Sequence, residues 1–136
     1  MNNFEDDEER VAKTREDPKR TDIRERAFIF AVRIVKLCKF LEKNSEVSKS
    51  VINQLLDAGT SVGANLEESV AGQSRADFIH KNSIALKEAR ESSFWLRLIL
   101  ATETFNEHVR IGIEELENES IEIAKIIGKI IVTTKK

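Results

Sequence analysis

A chain of 136 residues with a formal net charge of −2, 40% hydrophobic and 34% charged, has room for one well-filled domain and too little for two. One Pro, five Gly and a single Cys exclude collagen-like and linker-rich designs, an internal disulfide and a Cys-rich zinc site. The longest apolar run, the six residues Ala27 to Val32, falls far short of the ~20 that cross a bilayer. The acidic amino end, MNNFEDDEER, is no signal peptide, so the expectation is a soluble protein of the cytoplasm with no membrane partner.

Residues 1–20 are polar and mixed in charge, close near the only Pro, and hold one apolar anchor candidate, Phe4. They are expected to form a flexible polar arm ahead of a folded domain over residues 21–136. From there the chain reads as helix almost without pause, because Glu, Lys, Arg, Leu, Ile and Ala dominate and apolar residues recur at three and four.

The first helix is predicted to start after Thr21 or Asp22, either of which can cap it, and to end near Lys43-Asn44. It is apolar over more than half its circumference and must bury two faces. Arg33, Lys36, Lys39 and Lys43 collect on the remaining arc. A second helix is predicted from Ser45 or Ser48 to about Ala71, with Val51, Leu55, Ala58, Val62, Leu66 and Ser69 inward. Gly59, Ser61, Gly63 and Ala64 lie mid-helix, where small residues signal a close-passing backbone, and Gly72 offers a stop.

Ser74 is predicted to cap a third helix, Arg75 to Glu103, with Phe78, Asn82, Ala85, Ala89, Leu96 and Leu100 on one face. After a bend around Phe105 to Gly112, a fourth helix carries Ile113, Leu116, Ile123, Ile127, Ile130 and Ile131. Four such helices with short connections make an all-α, antiparallel up-down-up-down four-helix bundle.

The charges are segregated. Ile23 to Lys43 holds six basic residues against two acidic, a local +4, while Glu103 to Glu122 holds seven Glu against Arg110, a local −6. The basic arc of Arg33, Lys36, Lys39 and Lys43 is a candidate nucleic-acid contact, an ordinary solvated face, or the partner of the acidic run Glu114 to Glu122. No aromatic is interleaved on it for base stacking.

Chemistry is scarce. A di-iron bundle needs Glu-x-x-His on two helices, and neither His80 nor His108 has a Glu three residues before it, so no metal is expected. Cys38 sits among Ile34, Val35, Leu37 and Leu41, where a thiol acts as a small core residue with a raised pKa. There is no Gly-x-Ser-x-Gly turn and no phosphate loop. The reading is a protein that is not an enzyme and takes no cofactor. Asn65, Glu67, Glu68, Glu88 and Glu91 are read as a polar seam between the second and third helices, with Asn65→Ala expected to cost about 1–3 kcal/mol. Phe28, Ile84 and Trp95 fall off the core stripes and mark an oligomer interface.

The words themselves are familiar. Phe30-Ala31-Val32-Arg33-Ile34-Val35 resembles the first-helix signature of four-helix-bundle proteins related to the 23S rRNA intervening-sequence (S23) family. Gln54-Leu55-Leu56 with Gly59-Thr60-Ser61-Val62-Gly63-Ala64-Asn65-Leu66-Glu67-Glu68-Ser69 is similar to the family's second-helix motif. Ser74 to Ile79, Ser83 to Glu91 and Trp95-Leu96-Arg97-Leu98 resemble the third. The resemblance spans about residues 24–104 and implies a bacterial, left-handed bundle that assembles into a ring-like homo-oligomer, typically a pentamer, with no catalytic residues to transfer. A related bundle, the accessory protein of diversity-generating retroelements, is similar to a basic nucleic-acid-binding pentamer, whereas this chain's body is charge-neutral. Two functional classes stay open: association with RNA or ribosomal RNA, and a protein-interaction scaffold without nucleic acid.

Overall fold

Asp22, Ser48, Ser74 and Asn106 each accept the backbone N–H three residues ahead, from Glu25 at 3.0 Å, Val51 at 3.2 Å, Asp77 at 3.1 Å and Val109 at 2.9 Å. Each of these bonds satisfies an orphan donor and starts a helix. The computed structural model describes residues 22–71 and 74–136. Its helices are α1 (Ile23–Asn44), α2 (Lys49–Val70), α3 (Arg75–Thr102) and α4 (Glu107–Lys135), and no strand occurs among the described residues. The arm expected over residues 1–20 and the stop expected at Gly72 lie outside the described residues.

Connections of four residues join the helices, which makes neighbours in sequence antiparallel neighbours in space. α1 packs on α2, α2 on α3 and α3 on α4, and α4 meets α1 more lightly. The core runs the length of the bundle through Phe30, Ile34 and Leu41 of α1, Leu55 and Leu66 of α2, Leu96 and Ile99 of α3, and Ile113, Leu116 and Ile127 of α4, all buried. At the open end of α4, the Arg75 guanidinium donates to the Thr134 carbonyl, satisfying a terminal acceptor from the neighbouring helix.

Three sequence expectations need correction. The inward stripes slip by one residue in places: Ile52 is buried rather than Val51, and Ile99 rather than Leu100, while Ser92 joins the core and Phe78 stays half-buried. The last connection is shorter than expected, because Asn106 caps α4 six residues before Gly112, and Gly112 is buried inside the helix. The small residues of α2 do admit a close neighbour, but the neighbour is α1. A Cβ on Gly59 would stand 2.7 Å from Ile34 Cγ2, and one on Gly63 would stand 3.5 Å from the Ala27 carbonyl.

Candidate functional site

The lightly packed α1–α4 side is closed by charge. Arg26 reaches across with a two-pronged pair, Nε to Glu119 Oε2 and Nη2 to Glu119 Oε1, both 2.8 Å. That geometry holds the guanidinium proton more firmly than usual, chiefly through the hydrogen bond to Glu119. Two turns further along α1, Arg33 Nη2 lies 3.4 Å from Glu115 Oε2. The Arg33 residue is 9% exposed, so it leaves the outer basic arc on which the sequence placed it. Of that arc, Lys36 is half-buried and Lys39 and Lys43 are exposed. The acidic run of α4 is therefore in part the partner of α1's arginines, and Arg26 is the member sequence reasoning passed over; its place seven residues before Arg33, on the same side of the helix, was the available signal.

The five residues expected to form one polar seam are not gathered into one. Asn65 is half-buried and its Nδ2 donates to the Ser61 carbonyl of its own helix at 2.8 Å. Glu67 lines a surface recess with Asp22, Arg24, Glu25 and Phe28, toward α1. Glu68 does cross to α3, with its carboxylate 3.6 Å from Lys81 Nζ. Glu91 pairs along its own helix with Lys87 at 4.0 Å. The small residues Gly59 and Gly63 face α1, and of the five residues Glu68 is the one with a described ion pair from α2 to α3. Because the Asn65 amide satisfies itself locally and Ala favours helix, Asn65→Ala should change unfolding free energy by less than about 1 kcal/mol, below the sequence expectation; urea denaturation measures it.

Glu88 is half-buried on α3. Desolvation first, then the like charge of Glu91, pushes its carboxyl above the ordinary carboxylate value, with Asp57 adding and Lys87 opposing. A raised folded-state pKa means that the protonated form fits the fold better, so this contribution is present below the ordinary carboxylate range and lost as pH rises through the folded value. Glu88→Gln should accordingly stabilise the bundle at neutral pH by up to about 1 kcal/mol, allowing for solvent screening, and the gain should vanish in acid. Thermal melts of both proteins at the two pH values check the sign.

Cys38 is buried and its thiol faces the Ile52 carbonyl at 3.7 Å. Burial, with a smaller push from Glu42, drives it up to about 12, leaving a thiol rather than a nucleophile. His80 is exposed on α3, and His108 is exposed in the first turn of α4 rather than in a bend. Among the described residues no group of three or more His, Cys, Asp or Glu is placed to hold a metal, and no helix is long and apolar enough to cross a membrane.

Among the described residues, besides the exposed Val70, Ile111 and Val132, apolar surface forms two stretches. On α1, Phe28 is 50% exposed, and the half-buried Val32 and Val35 continue its stripe at four and three residues, opposite the core face. On the other side, a groove of about 360 Å³ runs between α3 and α4, floored by Ala89, Ser93, Ser120, Ala124 and Gly128 and edged by Ile121, Arg90 and Lys125. Phe94, 47% exposed, stands next to it, edge-on to Trp95 at 5.0 Å and with the Arg97 guanidinium 6.0 Å from its ring centre. α1 and α3 are diagonal in the bundle, so the two surfaces face different ways. Of the expected interface residues, Phe28 is exposed, whereas Ile84 is half-buried and Trp95 packs partly against the core; sequence reasoning missed the exposed Phe94 and Ile121, and also Val70, Ile111 and Val132.

Residues 19–129 match the model of the family described as 23S rRNA-intervening sequence protein. The bundle is also similar to the crystal structure of a protein with unknown function from the S23 ribosomal protein family of Bacteroides thetaiotaomicron, with 44% identity and a TM-score of 0.74. That likeness covers 81% of this chain and 98% of the other. No curated protein matches the sequence.

Proposed function

The chain belongs to the 23S rRNA-intervening sequence protein family, and from that premise we propose that it acts without catalysis, as a small bundle that assembles with copies of itself into a ring and serves as a scaffold for protein partners. The observation that carries this reading is the pair of apolar surfaces on different sides of one bundle: the Phe28 stripe on α1, and the α3–α4 groove edged by Ile121, with exposed Phe94 directly after its lining residue Ser93. Partly exposed apolar groups on two unlike faces favour head-to-tail contact, and head-to-tail contact closes into rings when the angle between faces allows. Five copies is the number that the family resemblance implies.

The alternative, association with RNA, draws on the family's description and on Lys36, Lys39 and Lys43. Against it, Arg26 and Arg33 are committed to Glu119 and Glu115, which leaves α1 with fewer cations for phosphates than its sequence promises. Each phosphate neutralised would steepen the loss of affinity with salt. Filter binding to structured RNA at low and high salt separates the two readings: the scaffold reading expects no retention even at low salt, and tight, salt-sensitive retention would transfer the function to RNA.

A further inference from the structure

We propose that the outer stripe of α4 pairs antiparallel, about a two-fold axis, with the same stripe of a second copy. Steps of three and four residues carry this stripe from Glu107 to Lys136, every member of it exposed, on the side of α4 away from its buried face. Its apolar members are Ile111, Ile121 and Val132, which are 41%, 37% and 58% exposed.

Reversed, the stripe is its own complement. Ile111 stands ten residues before Ile121 and Val132 eleven after it. An antiparallel pair centred between residues 121 and 122 therefore sets Ile111 of each copy against Val132 of the other and brings the two Ile121 side chains together across the axis. The same centre sets Glu114 opposite Lys129, Glu107 opposite Lys136 and Asn118 opposite Lys125. Each apolar group meets an apolar group and each carboxylate a lysine, which is the self-complementarity that a two-fold contact requires. Parallel pairing would instead oppose Glu114 to Glu114 and Lys129 to Lys129, a juxtaposition of like charges that rejects it.

The charged members can take new partners. Among the described residues Glu107 and Lys129 join no ion pair. Glu114 and Lys125 do, with Arg110 at 3.0 Å and Glu122 at 3.7 Å along their own helix, but exposed pairs of this kind contribute little and leave both groups open to a second contact. Ile121 also edges the α3–α4 groove, whereas Ile111 and Val132 do not line it. The two-fold contact is thus independent of the ring.

Cysteines placed on the full chain test the register. In the antiparallel pair the two copies of Asn118 are offset by about 10 Å along the helix, as are the two copies of Lys125, beyond disulfide reach, whereas Asn118 of one copy faces Lys125 of the other. A mixture of the Asn118→Cys and Lys125→Cys proteins should therefore form an intermolecular disulfide roughly tenfold faster than either variant alone. Cys38 stays out of the reaction, being buried with its thiol pushed up to about 12. Val132→Glu in both chains, away from the groove, should return the mixture to the rate of the single variants. Equal rates in the mixture and the single variants, no disulfide in the mixture, or a rate that ignores Val132→Glu would each overturn the proposal. Light scattering reads the ring separately. A five-chain particle without the 118–125 disulfide removes this contact alone, and a two-chain particle that forms it upholds the contact and removes the ring.

Discussion

Arg33→Glu should destabilise the bundle by about 2–4 kcal/mol, the range for leaving an uncompensated charge at a buried ion-pair position. The residue is 9% exposed, and its present partner, Glu115, would face a second carboxylate across the lightly packed side of the bundle. Arg33→Met separates charge from packing. It keeps the long apolar stem against the core and leaves Glu115, whose side chain is 58% exposed, to be solvated by water, so its cost should stay within about 1 kcal/mol. Urea denaturation of the two variants measures the difference; equal stability would mean that the α1–α4 charges contribute little.

Gly59→Ala should cost about 1–3 kcal/mol, although alanine is the better helix former by about 1 kcal/mol. The added methyl would stand 2.7 and 2.8 Å from the Ile34 γ-carbons and 3.1 Å from its Cβ. Ile34 is fully buried and β-branched, so it has little freedom to turn aside. Gly128→Ala is the counterpart: nothing lies within 4 Å of the added atom, and the variant should gain about 0.5–1 kcal/mol. Opposite signs in a pair of thermal melts check the assignment of Gly59 to the α1 contact.

Most of the fold is legible in the sequence because its signals are local. Asp22, Ser48 and Ser74 announce their helices by a bond three residues long, and the apolar repeat marks four segments without reference to their neighbours. Asn106 carries the same signal inside the bend expected around Phe105 to Gly112; within α4 Gly112 is simply buried. What stayed hidden depends on which helix stands beside which. Gly59 and Gly63 reveal that something passes close, but not that it is α1 rather than α3. The same gap left an expected α2–α3 seam with the crossing pair Glu68–Lys81 among the described residues, and left Arg33 on an outer arc when its partner was Glu115 across the bundle. Positions one residue off a stripe, such as Val51 against Ile52, are undecidable from a 3.6-residue period, since both lie within the wide apolar face that a buried helix presents.

Self-assembly is the central claim, because the scaffold reading rests on two partly exposed apolar faces, the Phe28 stripe of α1 and the α3–α4 groove edged by Ile121. Light scattering of the purified full chain at micromolar concentration measures it directly. The account predicts a concentration-stable particle whose mass is a whole multiple of the 15.5 kDa chain, about five chains for a pentamer. A stable particle of one chain's mass across that range would contradict it.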